Sequence, residues 1–209
     1  MRRAVAAIGA AAAMLAGCVS VSVGNADAPG VTYFALADAR PPAAALAPPP
    51  GAPRLAIQAS GADPLADSVS MTFSRRSGER QLYQFASWSE RPSRSLAVLA
   101  QDRLLAGGRF ASVTQIGQPV ASDFLLTLRL EQMLHDVGST PGLARVAVRA
   151  ELVDRRERIV IGQRLFTASA PVAEPAAAPA AAAFGVATAE VLDQLTPWVE
   201  STVAARLAR

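Results

Sequence analysis

The chain has 209 residues, of which 20 are basic and 17 acidic, and its formal net charge is +3. All the basic residues are Arg, and without Arg2 and Arg3 the balance is 18 against 17, so the charge does not favour a nucleic-acid-binding protein. Hydrophobic residues make up 51% of the chain but aromatic residues only 5%. Because Ala accounts for much of this apolar fraction, the composition does not indicate a membrane-embedded body.

The N-terminus has the form of a bacterial lipoprotein signal. Arg2 and Arg3 precede a short apolar run, and Leu15-Ala16-Gly17-Cys18 has the order of a lipobox. The run is too short to span a bilayer of roughly 30 Å. Residues 1–17 are therefore predicted to be removed, which leaves Cys18 as an acylated first residue and membrane anchor. An ordinary signal peptide with an incidental Cys is the alternative, but Cys18 is the only Cys in the chain.

Residues 18–53 are predicted to form a tether. A short strand-like patch, Val31–Leu36, is followed by Pro41–Pro53, an Ala/Pro segment with almost no charge. Such a segment is expected to be an extended, semi-rigid spacer, with a reach of about 40 Å at about 3.1 Å per residue. The folded domain is predicted to comprise residues 54–209.

This domain is predicted to begin with three strands and a helix. Arg54–Gln58 is the first strand, and Val69–Phe73 and Gln81–Phe85 are expected to pair as a hairpin. The helix is expected to start at Pro92, which suits a first helical turn, and to stop at Gly107-Gly108. Helical spacing places five residues on its buried face: Leu96, Leu99, Ala100, Arg103 and Leu104.

A strand at Phe110–Ile116 and an antiparallel meander are predicted next. Two long segments alternate with a period of two, which indicates one buried and one largely polar face. The positions predicted to be buried are Phe124, Leu126, Leu128 and Leu130, then Val146, Val148, Ala150 and Leu152. Asp154–Glu157 is expected to turn the chain into a third strand, Ile159–Thr167.

The chain closes with a second Ala/Pro stretch, Pro171–Ala183, and a helical pattern. The apolar positions of this pattern are Val191, Leu192, Leu195, Trp198, Val199 and Val203. Pro197 is expected to kink the helix or to start a fresh segment with Thr196 as its cap. The predicted fold is a single α+β domain in which two helices pack on one face of an antiparallel sheet, because each helix has one apolar stripe to cover.

No catalytic, metal-binding or cofactor-binding group is predicted. His135 is the only His, it lies in no nucleophile motif, and it is expected to be a surface residue near a strand end. The absence of Lys excludes a P-loop. Asp63, Asp67 and Asp136 lack the spacing of a calcium loop and are expected to be loop and turn residues. The chain is therefore predicted to be non-enzymatic.

Two features are candidates for contact with a partner. Tyr83, Phe85 and Trp88 are either partner contacts or the largest core-packing side chains of an aromatic-poor domain. The second feature is a pair of Arg-rich turns, Arg75-Arg76 with Arg80 and Arg155-Arg156 with Arg158. These turns either contact anionic lipid headgroups or an acidic partner, or are solvated.

Taken together, these patterns resemble the ABC-type transport auxiliary lipoprotein family, which includes the paraquat-inducible protein C group. The resemblance is carried by the lipobox at Cys18, the Thr32–Leu36 patch, the Pro-rich spacer, the run Tyr83-x-Phe85-x-x-Trp88-x-Glu90-x-Pro92, the Leu152-Val153-Asp154 hairpin with Phe166, and the closing helix with Trp198. It implies an α+β domain on a lipid anchor. It also implies two partners, an inner-membrane ABC permease/ATPase complex and a substrate-binding protein of the mammalian-cell-entry type. Pro197 and the Ala-rich segment before the last helix depart from the family's pattern.

The expected function is that of an accessory subunit of a transporter that moves lipid or other hydrophobic cargo across the cell envelope. Val19 stands where Asp would favour inner-membrane retention, so the expected location is the periplasmic face of the outer membrane. The sequence does not decide whether the protein forms a homo-oligomer. A scaffold or activator lipoprotein for outer-membrane assembly or cell-wall synthesis is the alternative, and a direct lipid carrier is a third reading. An enclosed apolar cavity would favour the carrier, whereas a filled core would favour docking.

Overall fold

Eight strands in one mixed sheet and two helices make up the described part of the chain, residues 30–40 and 44–209 of a computed structural model. In chain order the elements are β1 (Thr32–Phe34), β2 (Arg54–Gly61), β3 (Ser70–Ser74), β4 (Gln81–Trp88), α1 (Pro92–Ala106), β5 (Ser112–Gln115), β6 (Phe124–Asp136), β7 (Gly142–Asp154), β8 (Ile159–Val172) and α2 (Ala177–Leu207). The predicted signal peptide and Cys18 lie outside the described residues. None of the helices in the described ranges is both long and apolar enough to cross a membrane.

The sheet is mostly parallel, so the prediction of an antiparallel sheet was wrong. Its strand order is β1-β4-β3-β6-β2-β5, with β7 on β6 and β8 on β7. Among the described strands, β1–β4, β2–β5, β2–β6 and β3–β6 are parallel pairs, and the other three pairs are antiparallel. A parallel pair requires a crossover connection, and α1 lies on the connection that brings β5 beside β2. The patterns of individual strands do not reveal such a crossover.

The antiparallel meander is confirmed in β6, β7 and β8. Leu126 pairs with Leu152, and Val148 pairs with Phe166. All eight positions that the alternation predicted to be buried are buried. Their side chains form the sheet's share of one continuous core cluster, to which Phe184 and Leu192 contribute from α2.

Both predicted helices are present and pack on the sheet and on each other. Helix α1 contacts β2, β5 and β6, while α2 contacts β7 and β8. Pro92 occupies the first turn of α1, and buried Asp67 accepts hydrogen bonds from the backbone N (2.9 Å) and the Oγ (2.8 Å) of Ser93. Asp67 is a loop residue, as predicted, and it also satisfies a backbone donor at the helix start. After α1, Gly108 has a φ of +65°, a conformation that favours Gly.

Helix α2 is longer than predicted because the Ala-rich segment forms its first turns. Pro179 lies in the first turn, where a missing N–H costs no intrahelical hydrogen bond. The helix continues through Pro197 as one element, so no fresh segment starts there. Thr196 is not a cap, since within the described residues its buried Oγ1 has no hydrogen-bond partner.

The compact unit extends over Val31–Arg209, whereas the domain was expected to begin at Arg54. Strand β1 lies in the sheet beside β4, and in the following Ala/Pro segment the backbone N of Leu46 donates to the carbonyl of Ala106 at 3.2 Å. The Ala/Pro segment therefore connects two strands of one sheet. It is not a spacer between the domain and its anchor.

Candidate functional site

Strand β4 is irregular where the candidate partner-contact residues lie. Ser70 of β3 pairs with Ser87, but Thr72 pairs with Leu82, so a step of two residues in β3 corresponds to five in β4. The extra residues of β4 form a bulge that contains Tyr83 and Phe85. Bulges of this kind redirect side chains out of the regular alternation of a strand.

The three aromatic residues of this segment have different environments. Trp88 is only 3% exposed and packs edge-on against Phe184, with ring centroids 5.7 Å apart. Trp88 is therefore a core residue, which is the core-packing alternative for this side chain. Phe85 is 42% exposed, and Tyr83 is half-buried.

His135 is buried, which contradicts its expected place on the surface. It is 0% exposed, and its Nδ1 lies 2.6 Å from the hydroxyl of Tyr83. The reason is the sheet topology: β3 pairs with the end of β6 on one edge, where Phe73 is beside His135, and β7 pairs on the other. A strand end that would be exposed in a simple meander is thus covered.

Burial shifts the pKa of both Tyr83 and His135. Burial raises the pKa of Tyr83 to about 12, against the opposing effect of Arg75, so the hydroxyl stays protonated beside Nδ1. Burial also lowers the pKa of His135, although Asp136 opposes this shift. Among the described residues, Nε2 of His135 has no hydrogen-bond partner. A Cβ on Gly142 would come within 2.8 Å of Nε2, so the backbone of β7 approaches the ring closely.

A cleft of about 620 Å³ borders Tyr83 at one end of the sheet. It is lined by Phe73, Arg75, Leu82, Tyr83, Gln84, Val137 and Pro175. Phe73 and Tyr83 pack with ring centroids 4.9 Å apart, and the guanidinium of Arg75 lies 5.2 Å from the centroid of Phe73. Aromatic walls beside a guanidinium suit apolar and anionic groups.

A second polar cluster joins the segment after β1 to both helices. Arg103 of α1 donates to Asp38 at 2.5 and 2.9 Å and to Asp193 of α2 at 2.8 Å, and Arg40 reaches Asp193 at 2.6 Å. Burial alone would raise the pKa of Asp38, but the hydrogen bonds and charges of Arg103 and Arg40 together outweigh it and lower that pKa. Sequence reasoning placed Arg103 on the buried face of α1 but missed its role. The sequence signal that could have revealed this role was a charged residue on the otherwise apolar face of α1.

The two Arg-rich turns lie at opposite ends of the β6–β7–β8 meander. Residues 75–80 lie beside the end of β6, because Ser74 pairs with Asp136. Residues 155–158 connect β7 to β8 at the other end. Within the described ranges, no cluster of His, Cys, Asp and Glu side chains is arranged to hold a metal ion.

Comparison with known families identifies the chain's relatives. The family model of the ABC-type transport auxiliary lipoprotein component matches residues 34–196, from β1 into α2. The chain belongs to this family. Its members are auxiliary lipoproteins of ABC-type transport, as the resemblance predicted. No curated protein matches the sequence closely enough to count as a relative.

Two solved structures share the fold of this auxiliary lipoprotein, and a third has a lower similarity score. A protein from Xanthomonas campestris is 24% identical with a TM-score of 0.70, and the match covers 85% of this chain and 100% of that one. An uncharacterized protein is 12% identical with a TM-score of 0.62, over 81% and 99% of the two chains. A PelC dodecamer from Paraburkholderia phytofirmans is 18% identical with a TM-score of 0.45, over 74% and 92%.

Proposed function

We propose that the chain is a non-enzymatic accessory subunit of a transporter that moves lipid or other hydrophobic cargo across the cell envelope. Its partners are an inner-membrane ABC permease/ATPase complex and a substrate-binding protein of the mammalian-cell-entry type. Cys18 anchors it in the outer membrane, with its domain in the periplasm. The observation that carries this proposal is the match to the auxiliary lipoprotein family over residues 34–196.

The filled core favours docking over carriage of lipid by the domain itself. A continuous cluster of buried side chains, including Leu126, Leu128, Phe166, Phe184 and Leu192, occupies the space between helices and sheet. A lipid carrier would need a cavity of several hundred Å³ in that space. The domain therefore acts by contact with other subunits.

The edge of β8 is the docking surface that the fold offers best. Among the described strands, this strand of 14 residues pairs with β7 alone, so its other edge has backbone groups that a strand of a partner can meet. Leu165 lies on the strand and is 45% exposed. Trp88 does not contribute, because it is buried.

The distance between anchor and domain is set by the chain ahead of β1. Cys18 and Thr32 are 14 positions apart in the sequence. At no more than about 3.6 Å per residue, this length allows a separation of about 50 Å at most. The domain thus stays close to the membrane that holds Cys18.

Fractionation and co-purification of tagged full-length protein from its own host test this proposal. We expect the wild type in the outer-membrane fraction together with a transporter subunit, and Cys18→Ala outside the membrane fraction. Leu165→Asp is expected to stay anchored but to recover several-fold less of the subunit, because a carboxylate on an edge strand opposes strand addition. Leu207→Asp is the control, because it makes the same change at an exposed Leu at the end of α2, which is 60% exposed. Retention of Cys18→Ala in the membrane would refute the anchor, and equal recovery by the two Leu variants would refute docking through β8.

A further inference from the structure

Strand β1 approaches its partner strand β4 from one direction. The two strands are parallel, and Thr32 pairs with Ala86. Val31 precedes Thr32 and is therefore on the side of the half of β4 that begins at Gln81, directly after the Arg-rich turn 75–80. We call this end the tether end and define its surface by Val31, Tyr33, Arg75, Arg76, Arg80, Leu82 and Phe85.

The tether end exposes large apolar and aromatic side chains. Tyr33 is 69% exposed and Leu82 49%, and Val31 and Phe85 are also exposed. Tyr33 lies on β1, Leu82 and Phe85 lie on the adjacent strand β4, and Val31 directly precedes β1. Aromatic and aliphatic side chains next to Arg are the composition that favours the interface of a bilayer.

The charges of the same surface complement anionic headgroups. The turn has three Arg and a single acidic residue, Glu79, which lies 3.6 Å from Arg76. The side chain of Arg76 remains 84% exposed in this pair. Arg80 donates to the backbone carbonyl of Glu79 at 2.8 Å, so its positive charge is not neutralised by a carboxylate.

We infer that the tether end is a membrane-contact surface that binds anionic phospholipid headgroups of the bilayer holding the lipid anchor. This inference rests on the proposed function, because Cys18 supplies the anchor. The choice between the two Arg-rich turns rests on their exposed neighbours. Tyr33 and Phe85 at this end are aromatic, whereas Ile159 and Val160 beside turn 155–158 are aliphatic, and aromatic side chains favour the bilayer interface. The two turns are a full strand length apart, since β6 has 13 residues, which corresponds to about 40 Å. We therefore expect turn 75–80, and not turn 155–158, to contact the lipid.

Vesicle sedimentation tests the inference without acylation. Residues 18–209 with Cys18→Ser contain the whole compact unit Val31–Arg209. We expect this protein to sediment with phosphatidylcholine vesicles that contain phosphatidylglycerol, less with phosphatidylcholine alone, and less at high salt. Arg76→Gln with Arg80→Gln should lower the partition coefficient by about tenfold or more, since each Arg near an anionic surface contributes to binding. Phe85→Ser should lower it further.

The opposite turn provides a control of equal charge. Arg156→Gln with Arg158→Gln removes the same two charges and is expected to change partitioning by less than about twofold. Circular dichroism should show all variants folded. Equal losses in the two double variants, or binding without preference for phosphatidylglycerol, would overturn the inference. So would a loss of the transporter subunit from Arg76→Gln/Arg80→Gln with unchanged vesicle binding, because the surface would then be a protein contact. The outcome of the Cys18→Ala fractionation does not depend on these results, so a failure of the proposed anchor can be distinguished from a failure of this inference.

Discussion

The two ends of the sheet contain similar Arg-rich turns in different surroundings. At the far end, which we define by Arg54, Asp123, Asp154, the turn 155–158 and Arg206, carboxylates hold the guanidinium groups of two Arg residues outside the turn. Arg206 binds Asp154 at 2.9 Å and Glu157 at 2.5 Å, and Arg54 binds Asp123 at 3.3 Å. At the tether end the one carboxylate in the turn is Glu79, which pairs with Arg76, and the exposed aromatic side chains Tyr33 and Phe85 lie on the neighbouring strands. A network of ion pairs thus lies beside the turn at one end, and aromatic side chains lie beside the turn at the other.

The largest expected difference concerns the two Asp residues that flank turns at these ends. Asp154 accepts hydrogen bonds from the backbone N of Arg156 and Glu157 and binds Arg206, while Asp136 accepts from Gly138 and binds Arg145. The side chain of Asp154 is 9% exposed against 28% for Asp136. We expect Asp154→Asn to lower Tm by several degrees and Asp136→Asn by less than roughly half as much, because desolvated ion pairs lose more when one partner is removed. Thermal denaturation measures both, and equal losses would show that the two ends are equally constrained.

The next effect is a pH dependence at the tether end, from His135. Its pKa is lower in the folded protein than the ordinary value of 6.5, so the unfolded state takes up a proton first as pH falls. Stability is therefore expected to decrease below about pH 6.5, by no more than about 1.4 kcal/mol between about pH 7.5 and 5.5. Urea denaturation at the two pH values measures this loss, and His135→Gln should abolish it.

Two controls make the pH prediction specific. Burial raises the pKa of Glu200, which contributes a slope of opposite sign, and Glu200→Gln removes that contribution. NMR titration of the imidazole in the wild type is independent of any substitution. An imidazole that titrates at or above pH 6.5 would contradict the buried, Tyr83-bonded state.

The smallest effect concerns the backbone of the two turns. Gly78 in the first turn has a φ of +84°, and Arg158 in the second has a φ of +59°, a region in which a side chain is strained. Arg158→Gly is expected to stabilise the fold by about 0.5 kcal/mol, because relief of this strain exceeds the entropy that Gly adds to the unfolded state. Gly78→Ala should destabilise it by about 1 kcal/mol. Chemical denaturation resolves both signs, and a stability loss in Arg158→Gly would show that its side chain is needed in place.

Features with a local period in the sequence were predicted well. The limits of α1 follow from Pro92 and Gly107-Gly108, and the buried faces of β6 and β7 follow from the period of two. The parallel strand pairs were missed because each depends on a crossover between distant segments. The predictions for the two Ala/Pro segments failed for the same reason, because composition predicts only a local conformation. It does not reveal that Leu46 contacts the end of α1 or that a helix begins at Ala177.

The candidate site was predicted only in part. The run from Tyr83 to Trp88 was identified, but the bulge in β4 determines which of its aromatic side chains is exposed and which is buried. His135 was misplaced because β3, which covers it, is far away in the sequence. The Arg103 cluster was missed since its partners Asp38 and Asp193 come from opposite ends of the chain.

The attachment of β1 has a mechanical consequence for the protein on its proposed anchor. A load applied through an acylated Cys18 would be borne first by the three residues that pair β1 with β4. If these separate, the connection lengthens by the six positions from Thr32 to Asp38, about 20 Å. The load then reaches Asp38, which Arg103 holds against both helices. The connection between membrane and domain would thus have two defined lengths, and the second is reached only when Leu36 leaves the core.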